Sequence, residues 1–344
     1  DLDASLAEFA AVQDCGSVMN SMLRFLLVYP TLCRGFLLAG RQQLSSSLSS
    51  SSRRYATSSM SAGRLADKVY LVTGSTDGIG KHTASCLAEQ GARVIVHGRR
   101  EASVKEAVEF VKGKGNGQQV EGIVADVSSL RGMNRLCDEV LARTDRLDCL
   151  LNNAGERGRG VFEADFRHSD DGVEYTFAVN VLAPYVITGR LLGLVAKAPG
   201  GGGRVVNVAS LSASYSLDFD NLQFEKGGYS DHAAYSLSKL LDIMFNAELA
   251  RRAPGGVTCN SLDPGTVNTK MLRAGWGMGG IPIKRQATRI CFYLATSDDV
   301  SDITGEYYVS RRVYTPPPPA EDEEACGRLW KVLEDLSGLS YSDA

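Results

Sequence analysis

Val69-Tyr-Leu-Val-Thr-Gly74-Ser-Thr-Asp-Gly78-Ile-Gly80 reads as a strand, a glycine turn and the start of a helix in direct succession. Gly74 permits the tight turn, Gly78 lets backbone approach a pyrophosphate, and Gly80 lets helix and strand pack closely. The helix N-terminus then offers free N–H groups and a positive dipole end to an anion. A glycine motif alone is weak evidence, but the strand before it and the helix after it supply the context a dinucleotide site requires. Ser75, Asp77 and Ile79 fill the turn and are expected to share in the contact.

Downstream, short Val- and Ile-rich runs alternate with longer helical stretches. Strands are predicted at Val69–Thr73, Arg93–His97, Val120–Ala125, Leu147–Asn152, Val205–Ala209, Val257–Leu262 and Glu306–Val309. Helices are predicted at Gly80–Gln90, Ala102–Lys112, Leu130–Arg143, Val173–Ala196, Ala233–Arg252 and about Arg285–Leu294. Such alternation implies βαβ units, and near-continuous apolar strands imply burial on both faces of a parallel sheet. The expected architecture is α/β: one doubly wound, mostly parallel domain over residues 64–314. Pro316–Pro319 and the acidic run Glu321–Glu324 form a linker, and Cys326–Leu336 reads as an amphipathic helix, so residues 315–344 make a C-terminal appendage.

Bulk composition narrows the function. The chain has 344 residues, 44% of them hydrophobic, and a formal charge of −3, so no net basic field recruits nucleic acid. Its 8 cysteines (Cys15, Cys33, Cys86, Cys137, Cys149, Cys259, Cys291 and Cys326) form no CxxC pair, which argues against a metal site or a disulfide framework. Free thiols in a reducing compartment are expected.

The first 63 residues differ in kind. Residues 1–18 hold four acidic residues and no Met; the first are Met19 and Met22, and translation is expected to start at one of them. From Asn20 to Ala66 there is no Asp or Glu, while Arg24, Arg34, Arg41, Arg53, Arg54 and Arg64 accompany a Ser-rich tract at 45–52. Arg-rich, Ser-rich and acid-free is the composition of an organelle transit peptide. Arg53-Arg54-Tyr55-Ala56 resembles a mitochondrial processing site, so residues 1–63 are read as an upstream or transit segment without fixed structure, mitochondrial first and plastid second. The apolar run Phe25–Leu38 is interrupted by Pro30 and Arg34 and is too short to span a bilayer, so no stable membrane span is expected.

The second predicted strand bears on the nucleotide. An acidic residue at its end would bind a ribose 2′-OH, whereas Arg accommodates a 2′-phosphate. The chain reads Val96-His97-Gly98-Arg99-Arg100 there. Guanidinium forks match phosphate oxygens, so Arg99 first and Arg100 second point to NADP, with Lys81 as additional charge.

At the other end of the site, Tyr235-Ser-Leu-Ser-Lys239 places a phenol and an ammonium one turn apart on a predicted helix. A free Tyr titrates near pH 10, and a neighbouring ammonium stabilises its phenolate. Tyr235 thereby reads as a general acid and base. Ser210, at the end of an apolar strand, can donate to a substrate oxygen. Asn180 sits in mid-helix, a position Asn does not favour.

The spacing TGxxxGIG, with these residues following in order, resembles the short-chain dehydrogenase/reductase family. That resemblance implies a Rossmann fold and a catalytic tetrad of Asn180, Ser210, Tyr235 and Lys239, with Asn180 supporting a water chain to the lysine. It implies further cofactor contacts from Asp126 and Val127, from Asn153, Ala154 and Gly155 of the NNAG element, from Tyr235 and Lys239 themselves, and from Pro264, Gly265 and Thr266. The family more often has His or Asn where Asp263 stands. The 25 positions between Ser210 and Tyr235, the insert Leu217–Gln223, the run Ala234–Arg252 and the tail Arg328–Gly338 resemble the retinol-dehydrogenase-like branch. This branch includes relatives of protochlorophyllide reductase and a plastid import component.

The expected activity is an NADP-dependent transfer of a hydride between nicotinamide and a carbonyl/alcohol pair, on a small-to-medium apolar ketone or aldehyde. The segment Val267–Ile283, with Met271, Leu272, Trp276, Met278 and Ile281, reads as a lid over that substrate. A homodimer is one assembly in view. The competing reading is a catalytically weak NADP(H)-binding sensor or interaction protein.

Overall fold

Val69–Val72 (β1) is followed by Gly78–Glu89 (α1), Arg93–Gly98 (β2), Glu101–Lys112 (α2), Val120–Val124 (β3), Leu130–Leu141 (α3) and Cys149–Asn152 (β4). A long helix, α4, then runs through Tyr175–Phe177, a π-helical turn at Ala178–Leu182, and Ala183–Ala196. After it come Arg204–Val208 (β5), Asp231–Arg252 (α5), Thr258–Asp263 (β6), Cys291–Thr296 (α6), Tyr307–Val309 (β7), Arg312–Val313 (β8) and Glu323–Ser337 (α7). This computed structural model describes residues 63–115, 119–157, 166–270, 273 and 289–341. The expected transit segment up to residue 62 lies outside the described residues, as do the lid residues Met271, Leu272, Trp276, Met278 and Ile281.

Among the described residues the strands form one eight-stranded sheet in the order β3-β2-β1-β4-β5-β6-β7-β8. All pairs are parallel except β7 with β8. The order reverses at β1, which has β2 on one side and β4 on the other. In open α/β sheets ligands bind outside the carboxyl ends of the strands at such a switch point. Registers Val72↔Val96 and Val72↔Leu151 bring the ends of β1, β2 and β4 level, so their following loops open onto one crevice.

Because successive strand residues face opposite sides, β1 feeds two cores. Leu71 joins Ile95, Leu150 and Val205 beneath α3, α4, α5 and α7. Val72 joins Val96, Leu151 and Val206 against α1, α2 and α6. The C-terminal helix α7 belongs to the first core: Trp330 stacks on Phe245 at 5.9 Å, and Tyr185 donates a hydrogen bond to the Leu339 carbonyl.

Element types follow the sequence reading, with three physical differences. β8 is a two-residue antiparallel strand, too short to leave an alternation pattern. The helix expected over about Arg285–Leu294 is seen as Cys291–Thr296, after a turn at 289–290. α4 reaches the length and apolarity of a membrane span, with a mean hydropathy of 1.5, which the sequence reading did not anticipate; 89% of that window is buried inside the domain. None of the six described cysteines forms a disulfide, and all are buried. Burial pushes the thiols of Cys137, Cys149, Cys259 and Cys291 up to about 12, so they stay protonated and unreactive.

Candidate active site

The glycine turn is built by steric necessity. Gly74 has φ +61, and a Cβ placed on it would lie 2.7 Å from the Ala154 Cα. A Cβ on Gly80 would lie 2.8 Å from the Gly74 carbonyl oxygen. Asp77 caps α1 by accepting from the Gly78 N–H at 2.9 Å, and its other carboxylate oxygen pairs with Lys270 at 2.8 Å. Burial acts upward on this carboxyl, but Lys270 and the Gly78 N–H outweigh it, so Asp77 ionises more readily than an ordinary aspartate.

Hydrogen bonds tie the turn to its neighbours. Thr73 Oγ1 accepts from the backbone N–H groups of Asn153 and Ala154, and Asn153 Nδ2 donates to the carbonyls of Thr73 and Gly74. His97 accepts at Nδ1 from the Gly74 N–H at 3.1 Å, while its Nε2 lies 3.1 Å from the Ala125 carbonyl. Those partners require the proton on Nε2.

A cavity of about 590 Å³ opens along these strand ends. At one end it is lined by Gly74, Asp77, Gly78 and Ile79, and further along by Asn153, Ala154 and Gly155. Arg99, Arg100 and Ser103 line it after β2, and Asp126 and Val127 after β3. Tyr235, Lys239 and Pro264 line it at the far end. Arg99 is held by donating to the Tyr175 hydroxyl at 3.0 Å and sits 4.0 Å from Glu156.

Several expected contacts lie elsewhere. Ser75 is fully buried beneath the turn: its hydroxyl donates to the Val72 carbonyl at 2.7 Å and accepts from the His97 N–H at 2.9 Å, so it joins β1 to β2. Gly80, Asn180, Ser210, Gly265 and Thr266 are not among the lining residues, and Gly80 acts by close packing under the turn. Lys81 does not face the crevice; its ammonium lies over the Phe110 ring at 4.3 Å, and Lys270 supplies the cation at the rim instead.

At the reacting end, Ser230 caps α5 by accepting from the Ala233 N–H, and the helix carries Tyr235 and Lys239 into the cavity wall. Lys239 Nζ lies 5.7 Å from the Tyr235 ring centroid. From the loop after β4, the guanidinium carbon of Arg157 lies 5.9 Å from the same centroid. Tyr235 is 8% exposed. Burial lowers the Arg157 pKa against the opposing pull of Tyr235 and Asp231.

Ser210 follows β5 and is half-buried. Its Oγ accepts from the Ser212 N–H at 3.1 Å, which leaves the hydroxyl proton able to donate. Asp263, at the end of β6, accepts from Leu211 N–H at 2.8 Å and from Gly265 N–H at 2.7 Å, clamping the Ser210 turn to the Pro264–Gly265 turn. Burial raises its carboxyl above the usual range against these two bonds.

Asn180 lies in the π-helical turn of α4. Such turns often mark functional positions. Its Oδ1 accepts from the Glu156 N–H at 2.7 Å, and its Nδ2 donates to the Glu156 carbonyl at 2.9 Å and to Ser238 Oγ at 2.8 Å. Asn180 therefore braces the Glu156–Arg157 turn against α5.

Sequence reasoning assigned no role to Thr73, His97, Glu156, Arg157, Tyr175 or Asp242. A histidine inside an otherwise apolar strand was the one available signal for His97, and the i, i+3 spacing from Lys239 the one for Asp242.

The sequence profile of the short chain dehydrogenase family matches residues 68–276. Retinol dehydrogenase 13 of Homo sapiens is 33% identical over 290 residues, covering 79% of this chain and 85% of its own length. Short-chain dehydrogenase TIC 32 A, chloroplastic, of Brassica napus is 30% identical over 290 residues, covering 77% and 88%. A short chain dehydrogenase from Escherichia coli CFT073, solved with NADPH, superposes with a TM-score of 0.59 at 24% identity, over 73% of this chain and 99% of that one; this likeness carries the fold. With the parallel sheet, the glycine turn and this match over most of its length, the chain belongs to the short-chain dehydrogenase family of oxidoreductases, in its retinol-dehydrogenase-like branch.

Proposed function

We propose that this protein is an NADP(H)-dependent dehydrogenase/reductase in which Tyr235 passes a proton to or from the oxygen of a carbonyl/alcohol pair. The observation that carries this reading is that Tyr235 and Lys239 wall the same cavity as the glycine turn. The lining fits a dinucleotide phosphate: a turn that no Cβ could occupy, a helix N-terminus, and two arginines with Ser103 after β2 where a 2′-OH-binding carboxylate would otherwise stand.

NADPH, when bound, supplies the hydride for reduction, and NADP accepts it for oxidation. The protein handles the oxygen. In reduction, the Tyr235 hydroxyl donates its proton to the substrate oxygen as the carbonyl carbon becomes tetrahedral, leaving a phenolate; oxidation reverses this. The Lys239 ammonium and the Arg157 guanidinium place positive charge beside that phenolate. Ser210 donates to the same substrate oxygen as its charge grows. Asn180 keeps Arg157 and α5 in register. Asn153, Ala154 and Gly155 hold the cofactor side of the crevice, with Asp126 and Val127 beyond them. Pro264, Gly265 and Thr266 form the turn that Asp263 secures.

The substrate is an apolar aldehyde or ketone. The relatives named retinol dehydrogenase and polyprenol dehydrogenase support an apolar substrate. Residues 1–63 form an import segment, mitochondrial first and plastid second; the Arg- and Ser-rich, acid-free composition supports import, and the relative called chloroplastic keeps the second address open. Fusing residues 19–66 to a fluorescent reporter tests it: cytosolic fluorescence refutes import. A panel of retinaldehyde, medium-chain aldehydes, steroids and quinones with NADPH tests the activity. Turnover of an apolar carbonyl is expected, and silence across the panel with NADPH still bound would favour a sensor or interaction role.

A further inference from the structure

α5 carries a buried acid beside its lysine. Asp242 Oδ2 accepts a hydrogen bond from Lys239 Nζ at 2.8 Å, and the same Nζ donates to the Val208 carbonyl at 2.8 Å. The two side chains keep only 7% and 4% of their surface in contact with solvent. An ammonium has three N–H donors. Two are committed to the protein interior, which leaves one for the cavity that Lys239 lines.

A buried ammonium without a counter-charge tends to lose its proton. At Lys239 burial acts in that direction, but the Asp242 carboxylate and Tyr235 outweigh it and hold the ammonium above its ordinary value. At Asp242 burial pushes upward and Lys239 pulls downward, with a net rise. The charges acting on this pair are therefore its own members and Tyr235, all on α5. The neighbouring β5 offers the neutral Val208 carbonyl, and the π-helical turn of α4 offers the neutral Asn180 amide, one residue away at Ser238. Across the cavity, Arg157 faces the Tyr235 ring.

We propose that Asp242 is a positioning residue for Lys239: its carboxylate pins the lysine on the Val208 carbonyl and keeps it an ammonium, so that its remaining N–H serves the bound nucleotide while its charge favours the Tyr235 phenolate. This inference rests on the reading of Lys239 given above. A carboxylate at this place is not required for folding of the helix, since Asn would fill the same volume and still accept a hydrogen bond. Its particular contribution is the charge.

The test is NADPH affinity of the full chain, read by cofactor fluorescence from about pH 7 to about pH 10, a range that ends just below the reference lysine pKa. Wild type should hold its affinity across the range. Asp242→Asn should match wild type near pH 7 and then lose roughly ten-fold or more before about pH 10, as Lys239 sheds its proton. Asp242→Glu, which keeps the charge, should restore the wild-type curve. Lys239→Met should bind weakly at every pH. If Asp242→Asn tracks wild type while Lys239→Met is weak, the proposal fails and the role of Lys239 stands. If Lys239→Met binds like wild type, the reading of Lys239 itself fails. Should Asp242→Asn not fold, the wild-type curve still decides: a ten-fold loss of affinity below about pH 9 would mean that Asp242 does not keep the proton in place.

Discussion

His97 accepts a hydrogen bond at Nδ1 from the backbone N–H of Gly74, so the imidazole of β2 holds the first glycine of the nucleotide turn in place. The ring is buried, and that burial lowers its pKa to about 4 against the opposing pull of the Ala125 carbonyl and Asp126. An unfolded chain would titrate the same histidine near 6.5. Between those values the unfolded state holds a proton that the folded state refuses, so stability falls as pH drops through about 6.5 and levels off below about 4. The whole step is worth roughly 3 kcal/mol. Urea unfolding at neutral pH and near pH 4 should show wild type losing about that much more stability than His97→Gln. Parallel losses in the two proteins would contradict the assignment.

Arg99, proposed above to hold the 2′-phosphate, donates a hydrogen bond to the Tyr175 hydroxyl. It is half exposed, so screening reduces what its charge is worth. Arg99→Gln should lower kcat/KM for NADPH by about ten-fold while hardly changing that for NADH. Steady-state kinetics with both nucleotides reads the ratio. A wild-type preference for NADH, or an unchanged ratio in the variant, would remove Arg99 from the nucleotide site.

Gly74→Ala combines a left-handed backbone with a Cβ pressed against Ala154 backbone, which cannot swing aside. The conformational term alone costs an L-residue roughly 1–2 kcal/mol, and the contact adds to it. We expect a Tm lowered by at least about 4 °C, together with weaker NADPH binding. A variant with wild-type Tm and affinity would show that the turn tolerates a methyl group.

The parts of this site that could be read from sequence are those governed by short-range rules. The β1 strand, glycine turn and α1 helix follow from adjacent residues, and Tyr235 and Lys239 share a face because they are one turn apart. The placement of Ser75 and Lys81 is not legible in the sequence, because position along the chain does not say which way a side chain points: Ser75 faces inward to β2, and Lys81 lies over Phe110. The π-helical turn at Ala178–Leu182 lies within an almost continuously apolar helix, where one extra residue per turn disturbs no visible periodicity. Asp263 and His97 act through bonds to residues 52 and 23 positions away, which only the folded sheet brings together. Asp242 was within reach, three residues after Lys239, but a carboxylate near a lysine on a helix is most often a solvated surface pair, and burial alone distinguishes this one.

The most direct measurement of the central claim is the turnover of Tyr235→Phe with NADPH and an apolar aldehyde such as retinaldehyde, beside NADPH affinity measured on the same protein. Removing a single hydroxyl from a buried ring should reduce kcat by roughly 10²–10⁴-fold and leave NADPH affinity within a few-fold of wild type. Turnover that survives the substitution would show that the proton travels by another group.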